Sequence, residues 1–360
     1  MKRSVNILAW DNGAGLSRDI ALLRAVLEAE GCTVFLNRGY HGERPISRLK
    51  RAGKRLHASR FGKAAVSRVG IRPPFALNIH VEHLEPAYFW LAACNVSIPN
   101  QEWFDAAWIP HLSGIDEVWA KTALADQLFS RLGCSVRSIG CTGEDRRVTE
   151  IAGPKELVGL HVAGTSTSKG TEAVLDVWAR NPDWPRLVVL RRSRNFYGRA
   201  LPWRERASAP NIEIITERVD EDTLRRLQNS SAIYVCPSQA EGFGHIVLEG
   251  LSVGGVVITT DAPPMNELVT PEAGLRVAVE RSEPMGIGER YFVSLDDLER
   301  KIRRVLEMSQ AERDAFGRAA RERFEAVDHS FRVRIRDCLN AVFDGRSSNP
   351  SSMPSRLNER

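Results

Sequence analysis

The amino-acid sequence predicts an α/β protein of two doubly wound domains, each a parallel sheet with helices on both faces. Three observations support this fold class. The chain has 360 residues, more than one hydrophobic core usually serves. Short apolar segments with strand character alternate with helical segments along most of its length. The alternation pauses at residues 151–155, which include Gly153 and Pro154, and then begins again.

The first domain is predicted from its opening strand–helix–strand unit. Residues 4–10 form a short apolar strand, a glycine loop follows, and Ser17 is a suitable N-cap for a helix that ends at Gly31. A strand at 33–36 completes one right-handed parallel crossover unit. Further strands are predicted at 75–81, 96–99 and 117–120, and a helix at 124–132.

The second domain repeats this pattern. A helix over 171–179 separates its first two strands. The strands are predicted at 157–162, 187–190, 212–215, 232–236 and 256–259. Charged helical segments follow at 296–308 and 311–327, and an amphipathic one at 330–342.

These segments divide the chain into four parts. We expect a first domain over residues 1–152, a second domain over 153–328 and a C-terminal helix over 329–344. The tail at 345–360 is rich in Ser, Pro and Asn, a composition that predicts disorder.

The composition excludes a disordered, membrane-spanning or disulfide-rich protein. Apolar residues make up 43% of the chain and charged residues 26%, which is enough for buried cores. No apolar stretch approaches the ~20 residues that cross a bilayer, and the run at 5–10 is too short for a signal peptide. The six cysteines are scattered, without zinc or disulfide spacing. These features predict a soluble cytoplasmic protein.

One basic segment, residues 44–72, contains ten Lys or Arg and no Asp or Glu. The whole chain has a net charge of +5, so the remainder has a net charge of −5. Such a segment attracts lipid headgroups, nucleic acid or acidic substrates, or it is a mobile solvated loop. Because it holds one aromatic residue and no nucleic-acid-binding module, nucleic acid is not an expected partner.

The segment at 235–250 carries the strongest indication of a binding site. A buried strand ends at Cys236, a glycine loop follows, and a helix begins near Gly244. The free N–H groups and the positive dipole end of such a helix suit a diphosphate. Glu241 precedes the turn, and Glu249 lies about five residues into the helix, roughly 7–8 Å beyond its start. Two carboxylates therefore flank a diphosphate-sized gap.

Two glutamates with seven residues between them, around a Gly-Phe-Gly turn, resemble the Glu-x7-Glu signature of retaining glycosyltransferases of the glycosyltransferase-B fold, group 1 or family 4-like. The resemblance implies two Rossmann-like domains facing a central cleft that binds a nucleotide sugar. It assigns the hydroxyls of the donor sugar to Glu241 and those of the ribose to Glu249. The diphosphate is assigned to the backbone of Phe243, Gly244, His245 and Ile246.

A lysine extends the resemblance to the loop after the first strand of this domain. Family members usually carry an arginine just after that strand and a lysine before the next helix, and both hold diphosphate oxygens. Lys169 matches the lysine, whereas Thr165 stands at the place of the arginine. Arg192 follows the next strand and is a candidate for the missing charge, although both cations also fit a solvated surface position.

Gly13 and Gly15 follow the first strand of the first domain and suit contact with the donor. A dinucleotide-binding site usually has Asp or Glu at the end of the second strand, where this chain has Asn37-Arg38. Arg38 would suit a 2′-phosphate, so an NADP-dependent oxidoreductase stays open, although it leaves the Glu241 region unexplained. A catalytically silent nucleotide-sugar-binding protein is a second alternative.

Polar side chains follow two strands of the first domain, where cleft residues of parallel sheets usually lie. Family members often carry a histidine after the second of these strands, whereas this chain has Asn100-Gln101-Glu102. Each candidate also fits a surface or capping position. The catalytic candidates of this domain are His80 and Glu82, in addition to Glu241 and Lys169 of the second domain. The candidates for the acceptor side are His83, Asn100 and Glu102.

The resemblance implies retaining transfer of a sugar from a nucleotide-diphosphate sugar to a glycan, such as a lipid-linked acceptor or a cell-envelope polysaccharide precursor. The free N–H groups of the helix start and Lys169 can stabilise a leaving phosphate, so neither a cofactor nor a metal is expected. The resemblance also implies that the C-terminal helix crosses back to the first domain. It favours docking of residues 44–72 on an anionic surface at the inner face of the cytoplasmic membrane.

Overall fold

The structure, a computed structural model, describes residues 3–9, 15–38, 72–151, 154–194, 200, 209–242 and 244–344. The predictions made for Gly13, Phe243, the tail at 345–360 and all of the basic segment except Arg72 lie outside the described residues.

The first domain contains a six-stranded parallel sheet with the order β2-β1-β3-β4-β5-β6. Its strands are β1 (Ser4–Ala9), β2 (Thr33–Arg38), β3 (Phe75–Val81), β4 (Ala92–Ile98), β5 (Glu117–Ala120) and β6 (Val136–Ser138). Sequence patterns predicted the first five of these but began β4 at residue 96. The first half of β4 contains the polar Asn95, and β6 has half-exposed positions. Because neither segment has the continuous apolar character of a buried strand, the sequence patterns did not predict them.

The helices of the first domain are α1 (Gly15–Ala29) and α2 (Ala123–Arg131), with 3-10 helices at Pro86–Leu91, Gln101–Trp103 and Ala106–Gly114. Helix α1 begins two residues before the predicted cap at Ser17. It packs on the sheet through apolar side chains spaced three or four apart, as the helical period requires. These are Leu16, Ile20, Leu23 and Leu27.

The second domain contains a six-stranded parallel sheet with the order β12-β11-β10-β7-β8-β9. Its strands are β7 (Glu156–Gly164), β8 (Leu187–Arg191), β9 (Ile212–Ile215), β10 (Ser231–Cys236), β11 (Val256–Thr260) and β12 (Gly274–Val277). Its helices are α3 (Thr171–Ala179), α4 (Glu221–Ser230), α5 (His245–Ser252), α6 (Met265–Leu268) and α7 (Leu295–Glu307). The predicted fold class, α/β with two doubly wound domains, is confirmed.

An antiparallel hairpin of β13 (Val279–Met285) and β14 (Gly288–Val293) was not predicted. Its strands are mostly exposed or half-buried, and charged residues interrupt them. Such strands lack the apolar run by which buried strands are recognised in a sequence.

The last helix, α8 (Gln310–Phe343), is continuous, so the predicted break between residues 327 and 330 is wrong. Asp328 and His329 interrupt its apolar pattern, but neither prevents helical geometry as proline would. Phe324 packs in the core of the second domain, whereas Phe331 and Ile335 pack in that of the first. The helix therefore joins the two cores.

The order of strands along the sheet reverses between β1 and β3 in the first domain and between β7 and β10 in the second. Loops that leave the carboxyl ends of parallel strands on either side of such a point diverge and leave a crevice. The crevices of the two sheets face one another across a cleft lined by both domains.

All six cysteines are free thiols in the structure. Within the part of the chain that the structure describes, every helix is too short or too polar to cross a membrane.

The junction made by α8 predicts a measurable difference between two positions on one helix. Ile335 is fully buried, and Ile335→Ala should lower the free energy of unfolding by about 2–5 kcal/mol, because it leaves a cavity in the first core. Val333 is 36% exposed, and Val333→Ala should change that free energy by less than about 0.5 kcal/mol. Urea unfolding measures both. Equal losses in the two variants would show that α8 is not held by this core.

Candidate active site

A cleft of about 590 Å³ lies between the carboxyl edges of the two sheets. Residues 162–169 and residues between 240 and 249 form its wall on the second domain. The wall on the first domain consists of Gly15, Leu16, Arg18, Asp19, Glu82, Asn100, Glu102 and Trp103. The two loops predicted to hold a diphosphate therefore face side chains of the first domain.

The two loops of the second domain pack directly on one another. Gly170 caps α3 with a φ of 68°, a left-handed conformation that favours glycine, and a Cβ there would lie 2.1 Å from the carbonyl oxygen of Pro237. The N–H of Gln239 donates to the carbonyl oxygen of Ser168 over 2.9 Å. The position of Lys169 is thus tied to that of the loop after β10.

A buried histidine, His161, also connects the elements that carry these two loops. Nδ1 of His161 lies 2.7 Å from the carbonyl oxygen of Val235, and Nε2 lies 2.9 Å from Oγ1 of Thr171. Burial lowers the pKa of His161 to about 4, so the imidazole is neutral at physiological pH. It therefore links β7 to β10 and to the start of α3 without adding a charge beneath the cleft.

The start of α5 lies open to the cleft. Gly244 is its N-cap with a φ of 73°, and glycine has no side chain with which to cap the helix. This left-handed conformation favours glycine, and a Cβ on Gly244 would lie 2.5 Å from Cδ1 of Leu268, whose side chain would have to shift. Gly244, His245 and Ile246 line the cleft as predicted for diphosphate contacts, and Gly15 of the first domain faces them. The helix dipole makes this end attractive to anions.

Glu241 is buried at the side of this helix start. Its Oε1 accepts a hydrogen bond from Oγ of Ser238 over 2.6 Å and one from Nζ of Lys169. The backbone carbonyl of Glu241 accepts from Nε2 of Gln101 in the first domain over 3.2 Å. The structure therefore brings Glu241 and Lys169 into direct contact, as two neighbouring groups of opposite charge.

Glu249 is buried on the first turns of α5 and uses both carboxylate oxygens. Oε1 accepts from Nη1 of Arg18 over 2.6 Å, and Oε2 accepts from Nε2 of Gln228 over 2.6 Å. Arg18 belongs to α1, so this ion pair crosses from one domain to the other. Beside it, Nε2 of His245 lies 2.5 Å from Oδ1 of Asp19.

The first-domain side of the cleft contains a chain of polar contacts. Nδ2 of Asn100 donates to Oε2 of Glu82 over 3.0 Å, and Oδ1 of Asn100 accepts from Nζ of Lys121. Glu82 adopts a φ of 66°, an unusual left-handed conformation for a residue other than glycine. Glu82 and Asn100 line the cleft as predicted for substrate contacts. Burial raises the pKa of the Glu82 carboxyl above its usual value.

Glu102 lies against the second domain. Its Oε1 would be 2.5 Å from a Cβ on Gly242, and its Oε2 is buried without a hydrogen-bond partner among the described residues. Burial raises the pKa of the Glu102 carboxyl to about 7, and the charges of Glu241 and Glu82 also raise it, while Lys121 lowers it. A carboxyl in these surroundings holds a proton far more readily than one in water.

Among the predicted site residues that the structure describes, three do not line the cleft. His80 is fully buried, where its Nδ1 accepts from the N–H of Glu85 and its ring packs against Phe89 of the 3-10 helix Pro86–Leu91. His83 packs edge-on against Trp108. Arg192 is half-buried and does not line the cleft, and its backbone N–H donates to the carbonyl oxygen of Gly164.

Sequence reasoning missed several residues at the cleft. Arg18 and Asp19 bind α5 across the domains, and Trp103 lines the cleft. Arg18 and Asp19 stand in the first turns of the helix after the glycine loop, which is a signal for a ligand-facing position. Lys121 directly follows β5, so the rule that located Asn100 after β4 applies to it equally.

Comparisons with known proteins give a family model that matches the second domain and a fold for the whole chain. Residues 154–323 match the family model described as glycosyl transferases group 1. The search of curated protein sequences finds no significant match.

Several solved structures are similar over nearly the whole chain. Sucrose-phosphate synthase from Thermosynechococcus elongatus has a TM-score of 0.66 and 16% identity and covers 95% of this chain and 100% of its own. HepE from Anabaena, in complex with UDP-glucose, has a TM-score of 0.63 and 14% identity, and the match covers 95% of this chain and 99% of HepE. The lipopolysaccharide outer core galactosyltransferase WaaB has a TM-score of 0.56 and 14% identity, and the match covers 95% of this chain and 99% of WaaB.

At these identities the structural similarity establishes the fold, while the family model identifies the second domain. The chain has the glycosyltransferase-B fold, and its residues 154–323 are similar to the group 1 glycosyl transferases.

Proposed function

We propose that the protein transfers a sugar from a nucleoside-diphosphate sugar to a glycan acceptor with retention of the anomeric configuration. The observation that carries the proposal is the start of α5, which opens into the cleft beside a lysine and between two buried glutamates. This set of groups provides donors for a diphosphate and acceptors for the hydroxyls at its two ends.

The diphosphate is proposed to bind between the start of α5 and the loop at 164–169. Lys169 contacts Glu241 in the protein without donor and would contact a phosphate oxygen when donor is present. Glu241 then loses one hydrogen bond and gains acceptor capacity for a hydroxyl of the donor sugar. Its bond from Ser238 keeps the carboxylate in place during this exchange.

The nucleoside is proposed to bind farther along α5. Glu249 lies about 6 Å along the helix from His245, a separation suited to the distance from a diphosphate to the ribose that it esterifies. Both oxygens of Glu249 already accept hydrogen bonds, so a ribose hydroxyl must replace the bond from Arg18 or share an oxygen with it.

The proposed chemistry needs stabilisation of the leaving diphosphate. Negative charge develops on the phosphate as its bond to the sugar breaks, and the N–H groups of α5 together with Lys169 are placed to stabilise it. Closure of the cleft by the first domain would exclude water, which strengthens these interactions and limits hydrolysis. Retention and independence from metals are parts of the proposal. In it, the leaving phosphate accepts the proton of the attacking hydroxyl on the same face of the sugar.

The acceptor is proposed to enter along the first domain, past Glu82, Asn100 and Glu102. A lipid-linked glycan or a cell-envelope precursor is the proposed acceptor class. The similarity to WaaB, described as acting on the lipopolysaccharide outer core, supports this class. Residues 44–72 would then bring the protein to an anionic membrane surface through their ten basic side chains. A catalytically silent nucleotide-sugar-binding protein is the alternative, distinguished by the assay below.

The role of Glu241 predicts a large catalytic effect with a small structural one. Nucleotide sugars are first screened for thermal stabilisation of the wild type, and the tightest is used as donor. Glu241→Gln keeps the size of the side chain and should lower kcat/KM for release of the nucleoside diphosphate by about 100-fold or more. Its melting temperature without donor should stay close to that of the wild type.

Glu280→Gln is the matched control, since Glu280 is exposed on β13 and lies far along the chain from the loop that contains Glu241. It should leave kcat/KM unchanged. Near-normal turnover in Glu241→Gln would contradict the assignment of this residue. Donor binding without any turnover by the wild type, across the acceptors tested, would favour the silent binding protein.

The surroundings of Glu102 predict a dependence of stability on pH. Its pKa is about 7 in the folded protein against 4.5 for an ordinary glutamate. The unfolded chain therefore ionises first, and stability is lost as the pH rises from about 4.5 to about 7. Glu102→Gln cannot ionise, so it should unfold like the wild type at pH 4.5 and be more stable by up to about 3 kcal/mol at pH 8.

Urea unfolding at the two pH values measures this difference. Glu150→Gln, at an exposed position of the same domain, is the control and should show no comparable change with pH. A stability difference between Glu102→Gln and the wild type that is the same at both pH values would contradict a raised pKa at Glu102.

A further inference from the structure

The charges along the cleft are unevenly balanced. Among the described residues that line it, two carry a permanent positive charge, Arg18 and Lys169. Five carboxyl groups line the same space, and burial raises the pKa of one of them, Glu102, to about 7. The five are Asp19, Glu82, Glu102, Glu241 and Glu249. A diphosphate adds further negative charge, so its binding depends strongly on each of the two cations.

The second domain contributes only one of these cations. Thr165 stands after β7, where the resemblance leads one to look for an arginine, and its side chain cannot carry a charge. Arg192, the other candidate on this domain, is absent from the cleft lining. Lys169 therefore supplies the positive charge of the second-domain wall in the part of the chain that the structure describes.

Arg18 supplies the other cation from across the cleft. Its side chain is 40% exposed and contacts Glu249, one turn beyond the start of α5. The two helix starts lie close together, because a Cβ on Gly15 would be 3.7 Å from the imidazole of His245. Arg18 is therefore near the diphosphate position proposed above, and its exposed guanidinium has freedom to turn toward it.

We propose that Arg18 is the second diphosphate-binding cation, contributed by the first domain in place of an arginine on the second. This inference rests on the proposed function. When donor binds, a ribose hydroxyl replaces Arg18 on Glu249, and the guanidinium pairs with phosphate oxygens, for which its planar fork is well suited. The diphosphate then connects the two domains, so donor binding itself favours the closed cleft.

A purely structural role for Arg18 predicts the opposite result. If Arg18 only occupies Glu249, its removal frees a ribose-binding carboxylate, and nucleosides and nucleoside diphosphates should both bind more tightly. If Arg18 binds the diphosphate, its removal weakens the binding of nucleoside diphosphates, whereas the binding of nucleosides stays the same or becomes tighter. The ratio of the two affinities separates the roles.

The experiment measures Kd by calorimetry for UDP, GDP and ADP, and by competition for the matching nucleosides. With the diphosphate that the wild type binds best, Arg18→Gln should raise Kd about tenfold to one-hundredfold, in line with loss of a charge-assisted contact. Kd for the nucleoside should stay equal or fall. Arg18→Lys keeps the charge without the fork and should give a smaller loss.

Arg24→Gln is the matched control on the same helix, because Arg24 is exposed and pairs with Glu28. It should leave every Kd unchanged, and melting temperatures establish that each variant is folded. Unchanged or tighter diphosphate binding in both Arg18 variants would overturn the inference while leaving the proposed function intact. A wild type that binds none of the three diphosphates would contradict the proposed function itself, and the inference with it.

Discussion

The backbone at the start of α5 is the constraint on which the rest of the site depends. Gly244 adopts a left-handed conformation, which favours glycine, directly before the helix, and a Cβ there would force the side chain of Leu268 to shift. Glycine at the N-cap adds no capping side chain, and the positive end of the helix lines the cleft. The reversal of strand order between β7 and β10 places this end beside the loop that carries Lys169. An anion-binding position thus follows from topology and backbone geometry.

The ion pairs across the cleft explain how this position is held in the protein without substrate. Lys169 contacts Glu241, and Arg18 contacts Glu249, so each of these two buried carboxylates has a cation. An unpaired buried carboxylate would be costly, because burial penalises the charged form. A nucleoside diphosphate sugar offers phosphates to the two cations and hydroxyls to the two carboxylates. Substrate binding can therefore exchange one set of partners for another while each carboxylate keeps a hydrogen-bond donor.

The fold and the second-domain half of the site were accessible from the sequence because their signals are local. Strands β7 and β10 are apolar segments, and the loop containing Glu241 has its glycines and acids within a few residues. The family model covers the same region and agrees with that interpretation of the fold. The assigned roles of these residues remain proposals.

The first-domain half depends on contacts between distant segments. His80 follows the strand-end rule, yet the 3-10 helix Pro86–Leu91, which no pattern predicted, covers it. The contact of Arg18 with Glu249 joins residues 231 positions apart and is visible only after the domains are folded together. The continuity of α8 was missed because two polar residues broke an apolar pattern without breaking the helix.

The central claim is that the start of α5 holds the two phosphoryl groups of an activated sugar. A crystal structure with a bound nucleoside diphosphate tests it most directly. The account predicts phosphate oxygens within hydrogen-bond distance of the N–H groups of His245 and Ile246, with Lys169 turned from Glu241 toward them. A diphosphate bound elsewhere on the protein, with the contact between Lys169 and Glu241 intact, would contradict it.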